Sequence, residues 1–525
     1  MFSVKNEKIW TILSVVMLVL LALAEALTLA IILQLNMLPI QYVIVLIALM
    51  AVSVLVIALL MFLRVDGQVR LSQRIVSCVL AVLLVCFCVY ISNVTAVAHK
   101  TIQTVTDPEI NSAPTGKNMY VLVRSDDPAA TLKDAANYSY GALKNSNVKR
   151  VTKFIQWIGK QTGVSPEPAG FATLPELADA LLNKKVNAII ISGANIGMLE
   201  TQTETQTAYA DFTSKVKILA EVPFEDLQEK PATPENPGSA VTPTDPTEAP
   251  DPNKNVTNTP FAIYIGASDQ YGNKLYASRS DVNILMVVNP KTKQILLINT
   301  PRDAYVANPA GDGEMDKLTH CGLYGADCSA SALSILYGTP IDYFGQINFA
   351  GFKKLIDAID GITVYSDYEF TALGKYKINK GENKLNGEQA LAFARERYNV
   401  VGSDNGRGKN QMKVITAVIK KLTTSPALIT KYASIMSSMQ GMFKTNMSSD
   451  EISMLVKMQL NDLATWDVNS FSVTGKAGSE VTYSWAGVKV YVMHLDKKVV
   501  EHASNLITRL VSGEALKPED MKVPK

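Results

Sequence analysis

Three long apolar stretches open this chain and constrain everything that follows them. They run from about Ile9 to Leu33, from about Ile40 to Leu63 and from about Ile75 to Ala96. Each is long enough to cross a hydrocarbon core of ~30 Å as a helix. A cleaved signal peptide has an apolar core of only ~7–15 residues, so these stretches are expected to stay as membrane spans. Lys5 and Lys8 precede the first span, and Arg64, Arg70 and Arg74 lie between the second and third. The turn from Gln34 to Pro39 carries no charge. Basic residues favour the cytoplasmic side, which puts the N-terminus and the Arg loop inside and everything after His99 outside. Glu25 falls within the first span and is expected to be a helix-contact or interface residue. Cys78, Cys86 and Cys88 fall in the third and are expected to face lipid or pack.

The rest of the chain excludes several classes. Its 525 residues allow two or three folded domains besides the spans. Net charge is only +2, with no long basic run, so a nucleic-acid partner is not expected. Four His and five Cys, with no CxxC pair, argue against a zinc module.

The predicted organisation is a membrane region over 1–99, an α/β unit over 100–228, a linker over 229–259, a second α/β domain over 260–425 and a tail over 426–525 that completes it. In the first unit, Asn118 to Arg124 and Asn187 to Ser192 are β-branched runs of strand length. Thr173-Leu-Pro-Glu176 has capping-box spacing and opens a helix through Asn183. No catalytic constellation is visible there, so its expected role is binding or spacing, such as docking assembly proteins. The linker alternates Pro with Thr, Glu, Asp and Asn and cannot bury a core.

From Phe261 onward strands and helices alternate. Strands are expected over Phe261 to Gly266, Val282 to Asn289, Gln294 to Asn299 and Ile362 to Tyr365. Helices are expected over Ser329 to Tyr337, Phe349 to Ile359, Asn386 to Phe393 and Arg407 to Leu422. The fold class is therefore α/β, a central sheet covered by helices behind three transmembrane helices. The tail reads as helices over Pro426 to Phe443 and Asp450 to Leu460, short strands over Trp466 to Val492, and a helix over Lys498 to Leu510.

Charged residues sit beside these apolar strands. Asp269 follows the first strand, Arg279-Ser-Asp281 leads into the second, and Pro301-Arg302-Asp303 follows the third. Arg395 and Arg397 are two apart, which an extended backbone would point to one face. Arg407 and Gln411 are four apart, which a helix stacks on one face, with Asp404 just ahead. In the first turn Arg407 would lie where free N–H groups favour an anion. Guanidinium groups grip phosphate bidentately and stay charged. Carboxylates among them point to Mg²⁺, whose shell phosphate oxygens and water complete. Such a set fits a pyrophosphate, and surface ion pairs are the alternative reading of the same residues.

The segments "YIGASDQYG", "SRSDVNILMVVNPKTKQILLINTPRDAYV", "DKLTHCGLYG", "YGTPIDYFGQINFAGFKKLIDAIDGITV", "LNGEQALAFARERY" and "DNGRGKNQMKVI" resemble, in order, the successive blocks of the LytR-CpsA-Psr family. The resemblance covers roughly Phe261 to Leu422, and three spans with an extra domain resemble its capsule-type branch more loosely. It implies a domain that holds a polyprenyl phosphate or pyrophosphate lipid, its tail in an apolar tunnel, and transfers a glycan phosphate to peptidoglycan. Capsular polysaccharide, teichoic acid or a similar polymer would be the cargo. By position, Asp269 and Asp281 would hold Mg²⁺, or Mn²⁺ in its place. Arg279, Arg302, Arg395, Arg397 and Arg407 would grip phosphates and Gln411 would hydrogen-bond one. Asp303 and Asp404 would orient arginines or help activate the acceptor hydroxyl, while His320 would serve as a base only if it moved in. Cys321 and Cys328 are a less usual feature and are expected to form a disulfide that staples a loop near the site. A hydrolase using the same site is the alternative. A transcriptional attenuator is a distant third, because the parts read as cytoplasmic are too small for a DNA-binding fold.

Overall fold

The computed structural model describes residues 4–35, 38–63, 71–106, 117–144, 148–200, 209, 211–227, 255–268, 278–311, 313–424, 431–439, 441–485 and 489–523. The chain divides into two compact units. The first opens with the helices α1 (Val4–Leu35), α2 (Ile40–Phe62) and α3 (Leu71–Thr106). Within them Ile9–Gln34, Ile40–Phe62 and Ser72–Val97 are long and apolar enough to cross a membrane. Leu21, Ile57, Met61 and Ala81 form their small common core. Large apolar side chains such as Leu23, Ile44 and Leu83 point outward, as lipid-facing residues do. Glu25 is buried and its Oε1 accepts from Ser53 Oγ at 2.5 Å, which makes it a contact between α1 and α2. Arg74 Nη1 donates to Thr11 Oγ1 at 3.2 Å. Arg64 and Arg70 lie outside the described residues. Cys88 is buried, Cys78 half-buried and Cys86 exposed.

The second unit begins with a five-stranded sheet. Its strands are β1 (Asn118–Arg124), β2 (Tyr140–Leu143), β3 (Ala169–Phe171), β4 (Ala188–Ser192) and β5 (Val216–Pro223), in the order β3-β2-β4-β1-β5. Helices α4 (Val148–Thr162), α5 (Leu174–Leu182) and α6 (Gly193–Glu200) complete it. The period of two along β1 explains its unbroken apolar run. Met119, Val121 and Val123 pack with Phe154 and Ile158 of α4, whereas Tyr120 and Leu122 pack with Leu177 and Leu181 of α5. The capping box forms as its spacing predicts: Glu176 N donates to Thr173 Oγ1 at 3.3 Å, and Thr173 N donates to Glu176 Oε2 at 3.4 Å.

A six-stranded sheet follows. Its first strands are β6 (Phe261–Ser268), β7 (Ser280–Asn289) and β8 (Gln294–Asn299), all antiparallel to their neighbours in that trio. The small pair β9 (Tyr305–Ala307) and β10 (Met315–Lys317) leads to α7 (Leu318–Cys321), a 3-10 turn over Gly322–Tyr324, and α8 (Ala326–Tyr337). Strand β11 (Tyr343–Asn348) returns parallel to β6 and runs into α9 (Phe349–Ala358). Gly361, at φ +79°, lets the chain turn sharply into β12 (Ile362–Ser366), and a Cβ there would lie 2.8 Å from the Leu385 carbonyl. Two hairpin pairs join β12 with β15 (Gly381–Leu385), and β13 (Phe370–Ala372) with β14 (Tyr376–Ile378). They precede α10 (Gly387–Arg395) and α11 (Asp404–Thr424). Helices α12 (Tyr432–Met439) and α13 (Ser449–Asp462) flank β16 (Phe443–Thr445). The chain ends with β17 (Asp467–Ser472), the hairpin β18 (Gly475–Val481) and β19 (Lys489–Leu495), and α14 (Lys497–Val511).

The sheet order is β16-β11-β6-β7-β8-β17. On one face Tyr264, Leu285, Val287, Leu296 and Ile298 pack with Leu333 of α8 and with Val499 and Leu506 of α14. Ala194 and Met198 of α6 join this same core, so the two sheets share apolar interior. The tail does not complete this domain throughout. Helices α12 and α13 belong to the first unit, where α12 packs on α3 and Tyr42 Oη donates to the Leu460 carbonyl at 3.3 Å.

Candidate active site

Topology gathers the charged residues at one end of the sheet. Strand β7 runs against β6 and β8, so its start lies beside their ends, with Ser280 opposite Ser268. Strand β11 runs with β6, so Asn348 reaches the same end, with Phe349 next in the chain. Three loops and a helix start therefore converge there. Arg279 and Asp281 flank the first residue of β7, and Arg302 and Asp303 follow β8. A buried network holds the start of β7 in place. Tyr264 Oη meets Ser280 Oγ at 2.8 Å and donates to Asn283 Oδ1 at 2.9 Å, and Ser278 Oγ donates to Ser268 Oγ at 2.8 Å. Burial pushes the Tyr264 phenol up to about 12, so it stays protonated.

Helices supply the remaining groups. A Cβ at Gly408 would lie 2.2 Å from the Asn299 side-chain amide, so the start of α11 crosses tightly over the end of β8. That brings Arg407, in the first turn of α11, to the strand end that precedes Arg302. Arg407 Nη2 donates to Asp404 Oδ1 at 2.6 Å, and Arg397 Nε lies 3.9 Å from the same oxygen. Arg395 Cζ sits 4.5 Å from the centroid of the Phe349 ring. Gln411 is buried one turn after Arg407 and donates to the Ala394 carbonyl at 3.4 Å. Arg302 Nη1 donates to Asp281 Oδ1, and Lys317 Nζ donates to Asp303 Oδ1 at 2.9 Å. Arg279 Cζ lies 6.0 Å from the centroid of the Trp485 ring. Asp269 falls outside the described residues.

Two sequence expectations need correction. Arg395 and Arg397 are not successive outward residues of an extended segment. Arg395 is the last residue of α10, and only at Glu396 does the backbone turn to φ −61°, ψ 127°. The helix, capped at Asn386, runs past the expected end at Phe393 to Arg395. Glu396 then organises the turn. Its buried carboxylate accepts from the N–H groups of Arg397, Tyr398 and Asn399 at 2.9, 2.8 and 3.0 Å, and from Leu373 N at 2.6 Å. The second correction is the disulfide. Cys321 and Cys328 are free, buried thiols on α7 and α8, inside the helix-covered core of the sheet. Each has its own acceptor: Lys317 O at 3.8 Å for Cys321 and Asn308 Oδ1 at 3.4 Å for Cys328. The hydrogen bond to Cys328 and then burial hold the Cys321 thiol well above its ordinary value.

One buried group went unused in the sequence reading. Asp316 is fully buried, and its Oδ1 meets His320 Nδ1 at 2.7 Å. Its Oδ2 accepts from Asn308 Nδ2 at 2.9 Å, Ser484 N at 3.2 Å and Ser484 Oγ at 2.5 Å. Burial raises the Asp316 carboxyl, but His320, Ser484 and Asn308 outweigh that and hold it below the usual value. The i, i+4 spacing of Asp316 and His320 was the available signal; Ser484 and Trp485, ~165 residues away, left none.

A helix-covered sheet whose one end collects arginines and carboxylates defines an α/β domain with a strongly charged end. The family follows from comparison. Residues 233–505 match the model of the LytR_cpsA_psr family, just over half of the chain, and the protein belongs to that family. Among its relatives, the polyisoprenyl-teichoic acid–peptidoglycan teichoic acid transferase TagU of Bacillus cereus is 36% identical over 194 residues, 37% of this chain and 62% of that protein. TagU of Bacillus licheniformis is 35% identical over 195 residues, with the same two shares. The chain thus spans about 62% of the length of the curated relatives it matches. Among solved structures, B. subtilis TagV aligns with a TM-score of 0.41 and 26% identity, covering 49% of this chain and 99% of that one. TagT bound to LI-WTA aligns with a TM-score of 0.40 and 24% identity, covering 52% and 95%.

Proposed function

We propose that this protein is a membrane-anchored phosphotransferase that moves a glycan phosphate from a polyprenyl-pyrophosphate carrier to peptidoglycan. The observation that carries this is the convergence at one sheet end of Arg279, Arg302 and Arg407 with Asp281 and Asp404. Transfer between phosphates needs charge stabilisation and alignment more than covalent help from the protein. The TagU relatives, named for transfer of polyisoprenyl-linked teichoic acid to peptidoglycan, support the same chemistry. The cargo is a teichoic acid, a capsular polysaccharide or a similar polymer.

In this reading Arg279 and Arg302 bind the phosphates from the strand side, and Arg395, Arg397 and Arg407 bind them from the helix side. Asp404 orients Arg407, and Gln411 backs it from the next turn. The donors fit a cation that takes few protein ligands. Among the described residues no group of three or more His, Cys, Asp or Glu forms a metal cluster, while Asp281 is a half-buried carboxylate beside Arg302. Mg²⁺ takes one or two carboxylates and fills its shell with phosphate and water. Asp281 and Asp269 are its proposed ligands. When bound, the cation neutralises charge on the pyrophosphate oxygens. Lys5, Lys8, Arg64, Arg70 and Arg74 support a cytoplasmic N-terminus and a site outside the membrane.

The test uses full-length protein in nanodiscs with a polyprenyl-pyrophosphate saccharide and Mg²⁺, with and without peptidoglycan fragments. Phosphodiester-linked glycan on the fragments, with polyprenyl phosphate released only when they are present, is the expected result. Equal release into water alone would replace the transferase by a hydrolase. Activity unchanged by chelation would remove the metal.

A further inference from the structure

The transfer proposed above rests on an acceptor hydroxyl that must lose a proton. Among the described residues, three acidic side chains brought to the sheet end are paired with cations. Asp281 holds Arg302, Asp303 holds Lys317 and Asp404 holds Arg407. Each of these carboxylates already has a cation as its partner. The sheet end has one other basic candidate, His320.

We propose that His320 accepts the proton of the attacking hydroxyl through Nε2, and that Asp316 is the positioning residue that fixes its ring. Three observations converge. First, the pairing sets the tautomer. Asp316 is ionised within a shell of donors, so Nδ1 carries the hydrogen on the 2.7 Å contact and Nε2 keeps its lone pair. Second, the contact with Asp316 uses Nδ1 and leaves Nε2 as the ring's other nitrogen, on a residue that is only 4% exposed. Third, the chain on either side of the ring is fastened to both arginine-bearing loops. Thr319 N donates to the Arg302 carbonyl at 2.9 Å. A Cβ at Gly322 would lie 2.6 Å from Ser278 O and 2.9 Å from Ser280 N, the residues that flank Arg279. His320 is thus held between the backbones that carry Arg279 and Arg302.

The charge state fits. Burial lowers the His320 pKa, Asp316 raises it, and Arg279 and Lys317 lower it, for a net shift below its ordinary value. The other titratable neighbours, Cys321 and Tyr324, have raised pKa values and bring no charge. The ring is therefore neutral and able to accept. In the step, the hydroxyl oxygen forms a bond to the glycan-bearing phosphorus. The bond from that phosphorus to the bridging oxygen breaks, polyprenyl phosphate leaves with the electron pair, and the hydroxyl proton passes to Nε2.

The experiment measures turnover, donor KM and pH profile for full-length wild type, His320→Gln and Asp316→Asn in nanodiscs, with the donor and fragments named above. Loss of a general base costs typically ~10²–10⁴-fold in rate. The expected result is a kcat at least about a hundredfold lower in H320Q, donor KM within about threefold, and loss of the acid limb of the kcat profile. D316N should lower kcat with the same KM split. Unchanged kcat in H320Q, or a KM that rises in step with the lost turnover, overturns the proposal. So does a wild-type kcat profile that shows no acid limb down to the pH at which the protein unfolds, which needs no variant to fold. Wild type that releases polyprenyl phosphate only to water refutes the acceptor and not the His–Asp pair, which the same variants then test on water.

Discussion

Glu396→Gln should loosen the loop that carries Arg397 without unfolding the domain. The carboxylate is 1% exposed and holds four backbone N–H groups, three on Oε1 and that of Leu373 on Oε2. Hydrogen bonds to a charged group contribute ~1.5–3 kcal/mol each, and a buried donor left unmet costs ~1–3 kcal/mol. Glutamine keeps one acceptor oxygen, so only one side of the clamp can be satisfied. A loss of about 2–3 kcal/mol follows, which equals ~30–150-fold in a local opening constant at ~1.4 kcal/mol per tenfold. Peptide-resolved hydrogen exchange of the 397–399 amides is the direct assay, and that factor is its expected acceleration. The sign with pH is also set. Burial alone would raise the Glu396 carboxyl, but the N–H groups of Asn399, Leu373 and Tyr398 hold it below the ordinary value of 4.5. Its stabilisation is therefore full above that value and is lost as pH falls from there through the folded pKa. In E396Q this acid-side loosening of the loop should vanish. Exchange within about threefold of wild type at neutral pH would refute the reasoning.

Three further outcomes are expected. Gly322→Ala pushes a methyl onto Ser278 and Ser280 backbone atoms that cannot yield as a side-chain tip would, and should cost ~1–3 kcal/mol in thermal or urea unfolding. A stability change within ~0.3 kcal/mol would mean that the α7 turn does not press on β7. Reductant should leave the melting temperature and activity unchanged because Cys321 and Cys328 are not bridged, and both thiols should resist alkylation until the domain unfolds. Asp281→Asn should leave Arg302 without its charged partner, lower turnover at least about a hundredfold and weaken its dependence on Mg²⁺ concentration; an unchanged Mg²⁺ titration would remove Asp281 from the metal site.

Much of the architecture was legible because local signals and tertiary needs agreed. β1 and β8 match their apolar runs residue for residue, and the Thr173 cap starts α5 where its spacing requires. The unforeseen elements are those with weak periodicity. β13, β14 and β15 are hairpin strands of three to five residues, with Lys, Glu or Asn breaking the apolar pattern of β14 and β15, and their pairing is settled by neighbours. Candidate charged residues were visible individually, since Arg and Asp next to an apolar strand are conspicuous. Their pairings were not. Arg302 with Asp281, and Asp316 with Ser484, come from strand register and from a loop far along the chain. Spacing did bring Cys321 and Cys328 within hydrogen-bonding reach, but they stand as free thiols with separate backbone and side-chain acceptors.

The sharing of Ala194 and Met198 between the two sheets has a consequence for how the chain is made. Both belong to α6 and bury against a core whose other walls, Leu323 and Leu333 among them, come more than a hundred residues later. At ~5–20 residues per second, the ribosome delivers the 3-10 turn at 322–324 some 6–25 s after Met198. During that interval the earlier sheet can close its own two layers, but α6 has no lid for its outer face. The proline-rich stretch that separates the halves lies within this interval, and its low hydrophobicity gives α6 nothing of its own to bury against while it waits. An unfinished chain would thus present α6 to chaperones as an uncovered apolar surface, and truncations ending before residue 322 would leave it so.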